Sequence, residues 1–284
     1  MKGLGHALLS LAAFLLVSEV LFAAGSLAEV PFKLYRGYTI VVKGSIGELD
    51  NLNFLIDSGA VPSVVDQRLA KKLRLAGKAE RLSVFTQNVP VQRVVLPELR
   101  LGPIQVLSLS VLVRDLSFIE DGLGARIDAL IGLDVLGWSS FSIDYQASRI
   151  SFGPVRPSGS AFALEFGPGF VYATLVVQGQ PIRLLVDTGA KNLILFESRV
   201  HGKLAGVRNQ GGKTSSNMGG GASLQQVLLS EARLGNTDFE SLNAFLLDAP
   251  AQNVPGFDGL LGVRSLGLTR LSFDFERQTI SWQK

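Results

Sequence analysis

The chain has 284 residues, of which 47% are hydrophobic and 18% are charged, so it can bury one large core or two ordinary ones. Its net charge is only +3, and its lysines and arginines are scattered rather than interleaved with aromatic residues, which argues against nucleic acid as a partner. It contains no cysteine, which excludes disulfides, thiol nucleophiles and thiolate metal sites.

The N-terminal segment predicts export. A positively charged residue precedes the apolar run at residues 7–17, and Ser26 and Ala28 stand at the spacing that a signal peptidase requires. We therefore expect residues 1–28 to form a cleaved signal peptide and the mature protein to be periplasmic or secreted, without a stable membrane span. The alternative is an uncleaved membrane anchor, which Glu19 disfavours because it interrupts the apolar stretch.

After this segment, the sequence predicts strands rather than helices. Short runs of alternating or β-branched apolar residues, bounded by Gly, Pro, Asn or Asp, occur at residues 38–42, 52–56, 107–113, 172–177, 182–186 and 271–275. Helical patterns are few: residues 66–75 predict a short helix that Asp66 caps, and residues 197–204 are its counterpart later in the chain. The fold class is therefore expected to be mainly β, with few short helices.

The sequence repeats itself with a period of 130 residues. The segment FLIDSGA at residues 54–60 returns as LLVDTGA at residues 184–190, and DALIGLDVLG from Asp128 returns as DGLLGVRSLG from Asp258, without a gap. A duplicated unit explains two such pairs at one constant offset, whereas coincidence does not.

The repeat divides the mature chain into two lobes of similar size. We expect an N-terminal lobe at residues 29–155 and a C-terminal lobe at residues 156–284, joined by the Pro-, Gly- and Ser-rich stretch at residues 154–160. The single histidine after the predicted signal peptide, His201, gives little basis for a Ser-His-Asp triad or a histidine metal site.

In each lobe an aspartate follows an apolar run and is succeeded by a small hydroxyl residue and a glycine. The two triplets are Asp57, Ser58 and Gly59 in the N-terminal lobe, and Asp187, Thr188 and Gly189 in the C-terminal lobe. A lone triplet of this kind would be an ordinary turn. Two triplets, each followed by two apolar residues and a glycine at residues 130–132 and 260–262, resemble the pepsin and retropepsin aspartic proteases over essentially the whole mature chain.

This resemblance implies two acid-protease lobes of the six-stranded type, related by a pseudo-twofold axis, with Asp57 and Asp187 as a catalytic pair that activates a water molecule. The glycine of each triplet should allow a sharp turn. The hydroxyl groups of Ser58 and Thr188 should bond across to the backbone of the opposite loop. The implied activity is that of a single-chain aspartic endopeptidase, acting as a monomer on peptide or protein substrates without a metal or organic cofactor.

The alternative is a catalytically inactive, pepsin-like peptide-binding protein, because the first loop departs from the family pattern at Val61 and Pro62. Both acids are retained, which favours the enzyme. Ala60 and Ala190 stand where pepsins have a serine that bonds the carboxylate, so the resemblance implies activity at milder acidity than that of pepsin.

The family closes a β-hairpin, the flap, over its substrate, and the sequence offers one candidate in each lobe. Residues 211–223 of the C-terminal lobe are glycine-rich and resemble a retroviral flap tip; an exposed loop is the plain alternative. A phosphate-binding loop is rejected because Val207 stands where that motif needs glycine. The N-terminal counterpart lacks glycine and contains Pro90, so the C-terminal hairpin is expected to be the moving lid. The candidate flap residues are Met218, Gly219, Gly220 and Gly221 in the C-terminal lobe and Phe85 in the N-terminal lobe.

Overall fold

The computed structural model describes residues 20–22, 28–84, 87–167, 169–204, 208–217, 220–248 and 256–284. The chain is mainly β, as the sequence predicts. Its strands within these ranges are β1 (Val20–Phe22), β2 (Ala28–Tyr35), β3 (Thr39–Ile46), β4 (Leu49–Ile56), β5 (Val64–Asp66), β6 (Lys78–Val84), β7 (Gln87–Leu101), β8 (Ile104–Arg114), β9 (Ala129–Ile131), β10 (Phe141–Asp144), β11 (Arg149–Phe152), β12 (Ser160–Ala163), β13 (Glu165–Gly167), β14 (Phe170–Val177), β15 (Gln180–Asp187), β16 (Leu193–Phe196), β17 (Arg208–Asn217), β18 (Gly220–Leu234), β19 (Thr237–Leu247), β20 (Gly259–Gly262), β21 (Arg270–Asp274) and β22 (Thr279–Gln283).

The helices are short. They are α1 (Gln67–Lys72), α2 (Ser117–Leu123), α3 (Leu133–Leu136) and α4 (Glu197–Val200), and a 3-10 turn lies at Val263–Leu266. Across the part of the chain that the structure describes, none of them has both the length and the apolar character that a bilayer span needs.

The two lobes share one strand order. The N-terminal sheet runs β3-β4-β9-β5-β8-β7-β6, and the C-terminal sheet runs β14-β15-β20-β16-β19-β18-β17. In both, the strand that leads to the aspartate lies parallel to the strand of the apolar–apolar–glycine segment in the same lobe. Leu55 therefore pairs with Leu130, and Leu185 pairs with Leu260. The predicted duplication is therefore confirmed by topology.

Six antiparallel strands connect the lobes in the order β12-β22-β21-β10-β11-β2. At the centre β10 pairs with β21, so that Ser142 faces Ser272 and Phe141 faces Phe273. The rings of these two phenylalanines stack with their centroids 4.5 Å apart. Because Ser142 and Ser272 occupy equivalent positions of the repeat, the approximate twofold axis passes between them. These strands, three from each lobe, join the lobes and continue through β2 into the N-terminal sheet, whereas the C-terminal sheet is separate.

Both faces of the strands that lead to the aspartates are buried. Phe54 and Ile56 point into a large apolar core that extends through both lobes. Leu55 points the other way, into a smaller apolar cluster of its own lobe, and Leu185 does the same in the C-terminal lobe. Packing on both faces leaves these strands little freedom to move.

The helices are shorter than the sequence patterns indicate. Asp66 caps α1 as predicted, since its carboxylate accepts a hydrogen bond from the Arg68 amide. The helix ends at Lys72 rather than at residue 75, because Arg74 has φ 52° and cannot continue a right-handed helix. Likewise α4 stops before Gly202, whose φ is 85°.

The segment that precedes the first lobe contributes a short strand. Val20 and Phe22, in β1, pair with Val106 and Ile104 of β8. Ala28, the predicted last residue of the signal peptide, begins β2 and pairs with Phe152. Cleavage of the signal peptide remains a prediction.

Candidate active site

The backbone of each aspartate pairs with the strand of the apolar–apolar–glycine segment in its own lobe. The amide of Asp57 donates to the Ile131 carbonyl at 2.9 Å, at the end of β9. Asp187 is the last residue of β15 and pairs with Gly262 of β20. Each acid therefore stands at the end of a parallel strand pair inside a packed lobe.

Each carboxyl group lies against the turn that carries the other acid. A Cβ atom placed on Gly59 would lie 2.7 Å from Cγ of Asp187, and one placed on Gly189 would lie 2.8 Å from Cγ of Asp57. Neither glycine has a positive φ. Glycine is therefore required here because each turn lies against the opposite acid, which is a different reason from the sharp turn that the sequence suggested.

Four hydrogen bonds lock the two turns together across the lobe boundary. The Ser58 amide donates to Oγ1 of Thr188 at 2.9 Å, and the Thr188 amide donates to Oγ of Ser58 at 3.0 Å. Each hydroxyl also donates to a carbonyl of the opposite strand, Ser58 to Val186 at 2.8 Å and Thr188 to Ile56 at 3.3 Å. Both side chains are fully buried, so the bonds are shielded from water.

A family model described as aspartyl protease matches the chain twice, at residues 42–135 and at residues 173–264. The chain belongs to the aspartyl protease family. Each match contains one of the two aspartates with its apolar strand partner, which confirms both the predicted resemblance and the duplication. No curated protein matches the sequence.

Within this aspartyl protease fold the two acids receive unequal support from the backbone. Oδ1 of Asp187 accepts from the amides of Gly189 at 2.8 Å and Ala190 at 2.9 Å. Oδ1 of Asp57 accepts from the Gly59 amide at 2.8 Å. The next amide in that loop, that of Ala60, instead donates to the main-chain carbonyl of Asp57 at 3.2 Å. The negative charge is therefore better accommodated on Asp187.

Burial and proximity raise the pKa of both carboxyl groups. For Asp57, burial raises the pKa well above its usual range, and the charge of Asp187 raises it further, while the Gly59 amide opposes the change. For Asp187, burial also raises the pKa, but the hydrogen bond from Asp57 and the amides of Ala190 and Gly189 lower it. Burial and the nearby charge both favour a protonated carboxyl group in this pair.

Each lobe carries a β-hairpin at the predicted flap position. In the N-terminal lobe Val84 of β6 pairs with Gln87 of β7, and in the C-terminal lobe Asn217 of β17 pairs with Gly220 of β18. Gly221 follows in β18 and pairs with Ser216. The other candidates, Met218, Gly219 and Phe85, lie outside the described residues. That the C-terminal hairpin is the moving lid remains a prediction.

The structure adds residues to the site that the sequence analysis did not select. Ser63 and Asp134 bond to each other beside the Asp57 loop. Arg264, which corresponds to Asp134 in the repeat, reaches from the C-terminal lobe to the Gly37 carbonyl of the other lobe. The sequence does mark these two residues: the repeated segments keep their glycines, but the equivalent positions 134 and 264 carry an acid in one copy and a base in the other.

Proposed function

We propose that the protein is an aspartic endopeptidase that hydrolyses peptide bonds with a water molecule held between Asp57 and Asp187. The observation that carries this proposal is the approach of each acid to the opposite turn, where the carboxyl carbon of Asp187 lies beside Gly59 and that of Asp57 lies beside Gly189. Both acids keep part of their surface exposed, so water and a substrate can reach them. Their location in an exported protein, periplasmic or secreted, is part of the same proposal.

The unequal hydrogen bonding suggests how the two acids divide the work. Asp187, with two amide donors, carries the charge and takes a proton from the bound water. Asp57 carries the shared proton and donates a hydrogen bond to the peptide carbonyl oxygen, which increases its electrophilicity. The water oxygen then bonds to the carbonyl carbon while the proton of Asp57 transfers to the carbonyl oxygen, and the product is a neutral tetrahedral diol.

Breakdown of the diol completes the reaction. The proton taken up by Asp187 moves to the peptide nitrogen, and the C–N bond breaks to release the amine. A hydroxyl proton of the diol returns to the dyad, so that a carboxylic acid leaves and one shared proton remains. No covalent intermediate is formed, and the protein ends in the protonation state in which it began.

Cleavage of unfolded casein in acid tests the proposal. We expect the purified protein to cleave it and pepstatin to inhibit the cleavage. Asp57→Asn and Asp187→Asn should each reduce kcat by about 1,000-fold or more, as expected for an essential acid or base. Asp128→Asn is the matched control, because that carboxylate is buried in the same lobe at the opposite end of β9.

Two results would contradict the proposal. Cleavage that survives both dyad substitutions would mean that another site or a contaminant is responsible. A wild-type protein that binds peptides but never cleaves them would identify the peptide-binding alternative, which was raised by the departure from the family pattern at Val61 and Pro62.

A further inference from the structure

The loop that carries Asp57 is fastened at its far end by side chains rather than by sheet. Oγ of Ser63 donates to Oδ1 of Asp134 at 2.6 Å, and the Ser63 amide donates to Oδ2 of the same carboxylate at 2.8 Å. Oγ of Ser63 also accepts from the Gly132 amide at 2.9 Å. Ser63 is buried, and all of its hydrogen-bonding groups are engaged, since its carbonyl accepts from the Leu112 amide.

These bonds complete a series along the whole loop. At its start the Asp57 amide donates to the Ile131 carbonyl, and in its middle the Ala60 carbonyl accepts from the Leu133 amide at 3.1 Å. The Ser63–Asp134 link closes the series at the other end. The loop from Asp57 to Ser63 is therefore hydrogen-bonded along its length to the segment around Gly132, and the position of Asp57 depends on that segment.

The C-terminal lobe fastens the corresponding loop by its backbone. There, Leu193 stands at the position of Ser63 and pairs with Leu261 as the first residue of β16. The Gly262 amide donates to the Asn192 carbonyl at 3.1 Å. In the N-terminal lobe β5 begins only at Val64, one residue later in the repeat. The Gly132 amide there donates to the Ser63 side chain instead of to a backbone carbonyl.

We infer that Asp134, acting through Ser63, is a positioning residue for Asp57. Its carboxylate replaces the sheet pairing that the first loop lacks, so that the two acids are held with similar precision by different means. A second observation agrees with this role: a Cβ on Gly132 would lie 2.1 Å from the Ala60 carbonyl oxygen, so the two segments are packed as closely as glycine allows. The inference concerns the reaction proposed above and rests on that proposal only for its kinetic test.

Kinetics of matched variants test the role. Asp134→Asn keeps the shape of the side chain but offers one acceptor oxygen where Ser63 presents two donors. We expect kcat to fall by about 10- to 100-fold with KM changed by less than about 2-fold, because small misplacements of a catalytic group carry costs of this size. Ser63→Ala should have the same effect, and the double variant should lose no more than the worse single one. Asp128→Asn, the control, should leave kcat unchanged.

Hydrogen exchange provides a readout that does not need turnover. The Gly59 amide donates to Asp57 in the first loop, and the Gly189 amide donates to Asp187 in the second. Asp134→Asn should speed exchange at Gly59 by about 10-fold or more relative to Gly189, whereas a general loss of stability would speed both alike. Asp128→Asn should not change the ratio.

The outcomes separate this inference from the proposed function. If wild-type protein does not cleave peptides, the proposed function fails, and the exchange ratio still decides the positioning role. If Asp134→Asn folds and leaves the Gly59 to Gly189 exchange ratio unchanged, the positioning role is wrong, whatever happens to kcat.

Discussion

Asp134 of the N-terminal lobe and Arg264 of the C-terminal lobe stand two residues after corresponding glycines, yet they connect different parts of the molecule. Asp134 bonds within its own lobe, to the loop that carries Asp57. Arg264 donates to the Leu268 carbonyl of its own lobe, but it also reaches the other lobe: its Nε donates to the Gly37 carbonyl at 3.1 Å, and its guanidinium carbon lies 4.3 Å from the centre of the Tyr145 ring. Equivalent positions of a duplicated fold can therefore serve local support in one copy and lobe association in the other.

The same contrast reaches the acids themselves. The C-terminal turn gives its carboxylate two amide donors, and the N-terminal turn gives one. The hydroxyl bonds between the turns, by comparison, are almost symmetric. The lobes are therefore alike in the hydrogen bonds that connect the two turns, and they differ in the hydrogen bonds that each turn makes within its own lobe.

The largest expected effect comes from the two glycines, which test the symmetric part of the comparison. Gly59→Ala would displace Asp187, and Gly189→Ala would displace Asp57, because each new methyl group would lie within 3 Å of the opposite carboxyl carbon. We expect kcat to fall by about 1,000-fold or more in both. Gly122→Ala is the control, since nothing lies within 4 Å of its Cβ position, and its activity should equal that of the wild type.

Next in size is the loss of a hydroxyl between the turns. Ser58→Ala and Thr188→Ala each leave the amide of the opposite turn without its acceptor in a buried place, so each should lower the free energy of unfolding by about 1–3 kcal/mol in urea denaturation. Exchanging the residues, as Ser58→Thr and Thr188→Ser, keeps both hydroxyls and should cost less than either alanine. Equal losses in the alanine and exchange variants would show that packing, rather than hydrogen bonding, holds the turns.

The raised pKa of Asp57 makes stability depend on pH. A carboxyl group whose pKa is higher in the folded than in the unfolded state stabilises the fold fully below the unfolded pKa of about 3.9, and this contribution is lost as the pH rises through the folded pKa. Asp57→Asn removes the dependence, so it should raise the free energy of unfolding at neutral pH by about 1–2 kcal/mol, as other active-site substitutions do. The gain should vanish in acid.

Asp187→Asn sharpens this test. Because its amide donors already favour the charged form, the gain in stability at neutral pH should be smaller than that of Asp57→Asn. Denaturant titrations of the two variants at several pH values measure the difference. A larger gain for Asp187→Asn would reverse the assignment of the proton.

The smallest effect should come from the contact between the lobes at Arg264. Arg264→Met removes the bonds to Gly37 and Leu268 and the charge beside Tyr145, which together should lower the free energy of unfolding by about 1 kcal/mol. The kcat should stay near that of the wild type, because the six-stranded sheet still joins the lobes. A large fall in kcat would mean that this contact also sets the distance between the acids.

The sequence predicts those features that are local and repeated. The two acid triplets and the apolar–apolar–glycine segments are short, they recur at one offset, and each is placed by the strand before it, so the two lobes and their strands followed from the pattern. The Ser63–Asp134 link could not be predicted in this way, because its partners are 71 residues apart and occupy turn positions where polar residues are common. The contact of Arg264 with Gly37 spans 227 residues and depends on how the lobes dock.

Helix ends and the reason for the glycines were also beyond the sequence. The end of α1 depends on the left-handed backbone of Arg74, a residue with no strong preference for that conformation. Gly59 resembles an ordinary turn glycine until the opposite carboxylate is placed beside it.

The pairing of Ser142 with Ser272 has a further consequence for how such a protein can change. A strand that pairs with its own equivalent is self-complementary. A half-length chain of this design could therefore form the central strand pair only by dimerising with a second molecule. Joining the halves makes that encounter intramolecular, at an effective concentration that dilution cannot lower. Because the two halves no longer have to be identical, their sequences can diverge. Asp134 and Arg264, at equivalent positions, are an example of this divergence.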